Sequence, residues 1–144
     1  MSTAFQPPLA RPAPELAGVV EALRRQVPGL LAVWVFGTWG TVHERPDSDL
    51  DVAVLAEHPL TAEDIRAALA ALSDATDRDI DLVDLTRADA VLRAQVVAYG
   101  RRLFCAEPGR CTAFEDFVYS DYARLNEERR AILQDVAARG RIHA

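Results

Sequence analysis

No apolar run in this chain of 144 residues approaches the ~20 consecutive residues that a helix needs to span a bilayer. Cysteine is nearly missing. Cys105 and Cys111 are the only two, and no His or further Cys stands near them at zinc-ligand spacing. That excludes a zinc knuckle and leaves the expectation of two free thiols in a reducing cytosol. An excess of basic charge is also missing. Sixteen basic residues face 22 acidic ones, for a formal net charge of −6. A general nucleic-acid binder needs a basic face to neutralise phosphates, so direct nucleic-acid binding is not expected. There is no G-x-x-x-x-G-K-[ST] segment, which excludes a P-loop nucleotide site. The opening MSTAFQPPLARPAPEL carries four prolines and no apolar h-region, so it is expected to be neither a secretory signal nor a membrane anchor.

What remains is half hydrophobic by composition, enough for a core, and of a length that suits one domain. Residues 1–13 read as a flexible Pro-rich arm and residues 14–144 as the domain. Pro14 suits the first position of a helix, ELAGVVEALRRQV, which Pro28-Gly29 ends. LAVWVF (31–36) reads as a buried strand, 38–48 as a turn and loop, and DLDVAVL (49–55) as a second strand. Thr61 with Asp64 forms a helix-capping pair for a helix to about Asp74. DIDLVDL (79–85) is a third strand. Thr86 with Asp89 repeats the capping pattern for a helix ending at Gly100, and RRLFCA is a fourth strand. After the loop EPGRC, a long helix is expected from about Thr112 to Arg139, with Gly140 as its stop. There are no internal repeats. Strands alternating with helices indicate an α/β architecture with helices packed on a sheet. The last helix carries Phe114, Phe117, Val118, Tyr122, Leu125, Ile132 and Val136 near a helical period. This stripe reads first as a core-facing side. Its aromatic N-terminal half, around Phe117, Tyr119 and Tyr122, alternatively reads as a partner interface.

The chemistry concentrates in VFGTWGTVHERPDSDLDVAVL. A hydrophobic strand delivers the small turn Gly37-Thr38, and ten residues later Asp49-Leu50-Asp51 opens the next strand. Alternation along a strand puts Asp49 and Asp51 on one face. Paired carboxylates repel unless a cation lies between them, and hard oxygen ligands of this kind suit Mg²⁺, which brings substrate phosphates with it. A Gly-Thr turn lets phosphates approach backbone N–H groups. A third carboxylate would complete a site for two ions flanking a phosphoryl displacement. Of Asp79, Asp81 and Asp84, the choice is Asp81, because Ile80 and Leu82 place it in the apolar part of its strand, where a charge needs a partner. Asp79 reads as solvated and Asp84 as a turn former. Arg45 reads as a solvated loop residue within reach of a phosphate. Asp47 and Ser48 read as turn formers, and Arg129-Arg130 as a solvated face. His43 and His58 lack companions at triad or ligand spacing. Trp39 either lines a nucleotide pocket or covers the core.

The Gly-Thr turn, the spacer, the D-x-D pair and the Asp about thirty residues on together resemble the minimal nucleotidyltransferases of the DNA polymerase beta superfamily. FGTWGTVHERPDSDLDVAVL, DIDLVDL and the tail FEDFVYSDYARLNEERRAIL are similar to the MntA-like antitoxin group that pairs with HEPN-domain RNase toxins. The resemblance runs from about residue 15 to the end. It implies a polymerase beta-like nucleotidyltransferase fold, with a short mixed sheet flanked by helices and a long C-terminal helix. It implies a cytoplasmic enzyme that uses Mg²⁺, two ions at once, to transfer AMP from ATP to a tyrosine of the toxin. In that scheme Gly37 and Thr38 hold the triphosphate. Asp49 and Asp51 ligate the metal, and Asp81 ligates it and helps activate the acceptor hydroxyl. Two positions depart from the common pattern: Thr stands at 38 where Ser is more frequent, and Val42 stands where many relatives have a second glycine. The alternatives are a binding-only antitoxin with a vestigial site, and a nucleotidyltransferase of small molecules, for which 144 residues leave little acceptor pocket.

Overall fold

A computed structural model describes residues 13–37 and 49–143. The first twelve residues and the loop 38–48 lie outside the described residues, and with them the expectations placed on the N-terminal arm, Thr38, Trp39, Val42, His43, Arg45, Asp47 and Ser48. The elements follow as α1 (Ala13–Gln26), β1 (Leu30–Phe36), β2 (Leu50–Ala56), α2 (Ala62–Thr76), β3 (Ile80–Asp84), α3 (Ala90–Tyr99), β4 (Arg101–Cys105) and α4 (Pro108–His143). Among the described residues, no helix is long and apolar enough to cross a membrane.

Among the described residues, four strands form one mixed sheet in the order β3-β2-β1-β4. β1 runs antiparallel to both β2 and β4, while β2 and β3 are parallel. The central pair is buried on both faces, which its continuous apolar runs LLAVWVF and LDVAVLA require. On one face, Val33, Val35, Val52 and Val54 pack with Val19 and Leu23 of α1 and Ala68 and Leu72 of α2. On the other, Ala32, Trp34, Ala53 and Leu55 pack with Ala94, Val96 and Val97 of α3 and Cys111 and Val118 of α4. Trp34 is the largest fully buried side chain and meets the Phe114 ring at 6.1 Å between centroids.

Local sequence sets most boundaries. Thr61 and Asp64 form the expected reciprocal cap, at 3.0 Å in each direction. The second cap differs. Asp89 itself is the N-cap, its carboxylate accepting from Leu92 N–H at 2.8 Å, and Thr86 instead donates its hydroxyl to Asp84 at 2.7 Å. The short Asp84 carboxylate captures the turn locally and so delays the helix. α4 also begins earlier than expected. Pro108 opens it, so the segment read as a loop supplies its first turn, a position where a missing N–H costs nothing. Gly140 does not stop it, since the helix continues to His143. Finally, Cys105 and Cys111 are not separate free thiols. They are joined as a disulfide between the end of β4 and the first turn of α4, with Cα atoms 6.5 Å apart.

Candidate active site

β1 ends, and β2, β3 and β4 begin, at one end of the sheet. At that end the register sets Phe36 opposite Asp51, and Asp51 beside Asp81 on the parallel neighbour. Side chains of register partners share a face, so Asp51 and Asp81 lie on the same face as Phe36 and Trp34, the face covered by α3 and α4. Asp49 directly precedes β2 and is exposed; Asp51 is half-buried. The Asp51 carboxyl is raised above the ordinary carboxylate range. Burial is the largest cause, followed by the charge of Asp81, the charge of Asp49, and a side-chain hydrogen bond with Asp81.

Asp81 was expected inside the apolar part of its strand. It is exposed, because β3 is an edge strand and solvent reaches it from the side. Its proximity to Asp51 comes from the parallel register, not from burial. Asp79 is exposed and enters through its backbone alone, its carbonyl accepting from Leu50 N–H at 2.8 Å and so starting the ladder that aligns Asp51 with Asp81. Asp84 is occupied elsewhere. Its carboxylate accepts from Leu60 N–H at 2.9 Å and from Thr86 N–H at 3.0 Å, which makes it the turn former that the sequence suggested. His58 is exposed in the bend after β2.

Gly37 closes the site from the β1 side. Its φ is +74°, a region that residues with a side chain avoid. A Cβ at this position would also overlap the Asp51 carboxylate oxygen Oδ2. The turn and the carboxylate are therefore in van der Waals contact, a requirement on Gly37 separate from phosphate approach, and one that a glycine in a turn signal does not reveal without the register.

The donor set is oxygen only, which suits a hard cation. Among the described residues, no group of three carboxylate, His or Cys side chains is spaced to hold one ion. The Asp51–Asp81 pair fits Mg²⁺ in the manner usual for that ion, one or two carboxylates with the remaining positions left to water and substrate phosphates. Burial first, and then the charges of Asp81 and Asp49, raise Asp51, and a cation held at this pair offsets both.

The family profile for "Polymerase beta, Nucleotidyltransferase" matches residues 19–108. The protein adenylyltransferase MntA of Shewanella oneidensis is 35% identical over 120 residues, which covers 83% of this chain and 86% of that protein. A crystal structure of a toxin–antitoxin with AMP-PNP superposes with a TM-score of 0.73 at 34% identity, covering 85% of this chain and 98% of the other. A structure of the tri-AMPylated Shewanella oneidensis HEPN toxin in complex with its MNT antitoxin matches with a TM-score of 0.70 at 33% identity, covering 85% of this chain and 96% of the other. The chain belongs to the polymerase beta nucleotidyltransferase family, among its MntA-type protein adenylyltransferases.

Proposed function

We propose that this chain is a Mg²⁺-dependent protein adenylyltransferase that silences a HEPN-type toxin by transferring AMP from ATP to one of its tyrosines. The observation that carries this reading is the Asp51–Asp81 pair, aligned by a parallel register at the mouth of the sheet and pressed against the Gly37 turn. Gly37 and Thr38 bind the triphosphate through backbone N–H groups and the Thr38 hydroxyl. Asp49, Asp51 and Asp81 hold the Mg²⁺ ions, which when bound neutralise charge on the phosphates. The tyrosine oxygen forms a bond to the α-phosphorus and the bond from that phosphorus to pyrophosphate breaks. Asp81, the more solvated of the close pair, accepts the phenolic proton and passes it to solvent. Residues 14–144 act as the single catalytic unit, and the reaction takes place in the cytoplasm.

Co-expression with the product of the neighbouring toxin gene tests the reading. Intact-mass spectrometry should find one or more AMP additions on toxin tyrosine, dependent on Mg²⁺ and lost with EDTA. A toxin that stays unmodified yet inactive would replace this reading with the binding-only one, which the exposed apolar half of α4 favours.

A further inference from the structure

β4 is an edge strand, and α1 lies along it. Ala17, Val20 and Arg24 stand three and four residues apart and so share one side of α1. Ala17 and Val20 face Arg101, Arg102 and Leu103 of β4 across a cavity of about 220 Å³. Further along, the Arg24 guanidinium lies 5.2 Å from the centre of the Phe104 ring.

The cavity is lined by cations and apolar groups, with no carboxylate among its lining residues, in a chain where acids outnumber bases. Three arginines are half-buried among the described residues: Arg78, Arg93 and Arg101. Arg93 donates to the Leu85 and Thr86 carbonyls, and Arg78 is engaged as well. Among the described residues, the Arg101 guanidinium makes no hydrogen bond and no ion pair. Register explains why. Arg102 pairs with Trp34 and so shares the α4 face, where Glu115 accepts from it at 2.8 Å. Arg101 pairs with Val35 and shares the α1 face, away from Glu115. A half-buried guanidinium has given up part of its water, and an anion in the cavity returns that energy.

Size and place narrow the ligand. The volume lies below the roughly 300–1,000 Å³ of sites that enclose drug-sized ligands, so it suits an anionic group with a few waters rather than a whole nucleotide. Asp51 is two strands away and on the other face, so the cavity is no part of the carboxylate centre.

We propose that the groove between α1 and β4 is a second binding site, which takes a small phosphate oxyanion on the Arg101 guanidinium. The planar fork presents parallel N–H donors to two phosphate oxygens. Val20 and Leu103 keep water from one side of the pair and so strengthen it. Arg24, Arg101 and Arg102 against the single Glu115 leave this flank positive by two charges, which a phosphate dianion matches and one protein carboxylate does not. Free phosphate and the pyrophosphate released by AMP transfer share this chemistry. The site goes beyond the functional reading and does not depend on it.

Calorimetric titration of the full chain with sodium phosphate, and separately with sodium pyrophosphate, tests it in EDTA, without nucleotide, at ionic strength held constant with chloride. Wild type should bind at least one of the two. Arg101→Gln keeps the bulk of the side chain without its charge and should bind about tenfold or more weakly. Arg130→Gln, on the exposed stretch of α4, should bind as wild type does. Ala17 is exposed, so Ala17→Glu leaves the core intact and sets a carboxylate into the cavity wall. It should abolish anion binding with no fall in melting temperature. AMP transfer per folded molecule should be unchanged in all three. Binding of phosphate alone would support the site and name the free ion as its ligand; binding of pyrophosphate alone would name the reaction product. A wild-type chain that binds neither would overturn the site, and a loss of partner capture in Arg101→Gln alongside that result would assign the guanidinium to a protein carboxylate instead. Undiminished binding in Arg101→Gln and Ala17→Glu would overturn it by placing the anion elsewhere on the chain.

Discussion

Asp51 is where most forces of the site meet. Its carboxyl is raised first by burial and then by Asp81 and Asp49, so the folded chain holds a proton there at pH values where the unfolded chain has released it. Folded-state proton binding exceeds that of the unfolded state through this window, so this group's contribution to stability is favourable at low pH and is lost as pH rises through it. The penalty then persists at neutral pH. Asp51→Asn should therefore abolish AMP transfer while raising the melting temperature of the metal-free protein. The gain should be present at about pH 7 and vanish near pH 3, where both chains are protonated. Thermal unfolding at the two pH values, with and without Mg²⁺, decides it; an equal gain at both would assign the effect to something other than charge. Gly37→Ala acts on the same carboxylate from the other side. Positive φ alone costs about 1–2 kcal/mol, and the added Cβ displaces Oδ2 of Asp51. A misplacement of that kind should lower transfer on the order of a hundredfold, far beyond the effect on stability. Thr38→Ser, which keeps hydroxyl and backbone N–H, should remain active in the same labelled-ATP assay.

Among the elements, hydrophobic periodicity and caps made nearly all of the fold legible in the sequence. LAVWVF read as a buried strand and DLDVAVL as a second one, and the Thr61–Asp64 pair marked the start of its helix to the residue. Pairing was not legible. No local signal says that β2 and β3 are neighbours, or that they align Asp51 with Asp81 rather than with Asp79, because register is a long-range property of the sheet. Asp81 was thus chosen on burial that the edge position of β3 denies it. The Asp84 joint was legible only as a turn. Its carboxylate ties the start of α2 to the end of β3 through Leu60, Thr86 N–H and the Thr86 hydroxyl. Asp84→Ala should cost about 2–3 kcal/mol in urea denaturation, by leaving these donors half-buried without partners. Turnover per folded molecule should stay at the wild-type level; a specific loss of transfer would place Asp84 in the chemistry.

At the scale of the molecule, length ratios decide what a stripe means. Strands of five to seven residues span at most about 23 Å, whereas a helix of 36 residues extends about 54 Å. No face of this sheet can cover α4, so an apolar stripe running its whole length is core-facing in its first half and uncovered in its second. Phe114, Val118 and Tyr122 join the core, while Ile132, Leu133 and Val136 do not. The aromatic half, considered as a partner surface from the sequence, is largely spent on the core, with Phe117 exposed beside Arg93. The uncovered stretch of α4 and the carboxylates therefore occupy separate parts of one chain, and loss of AMP transfer should be separable by mutation from loss of partner capture. Asp49→Asn leaves α4 untouched and removes a carboxylate beside the Asp51–Asp81 pair. In cells carrying the toxin, this variant should still co-purify with its partner, yet toxin mass should show no AMP and growth arrest should return. Growth restored by Asp49→Asn with an unmodified toxin would mean that covering the toxin suffices, and that the carboxylates are dispensable for protection.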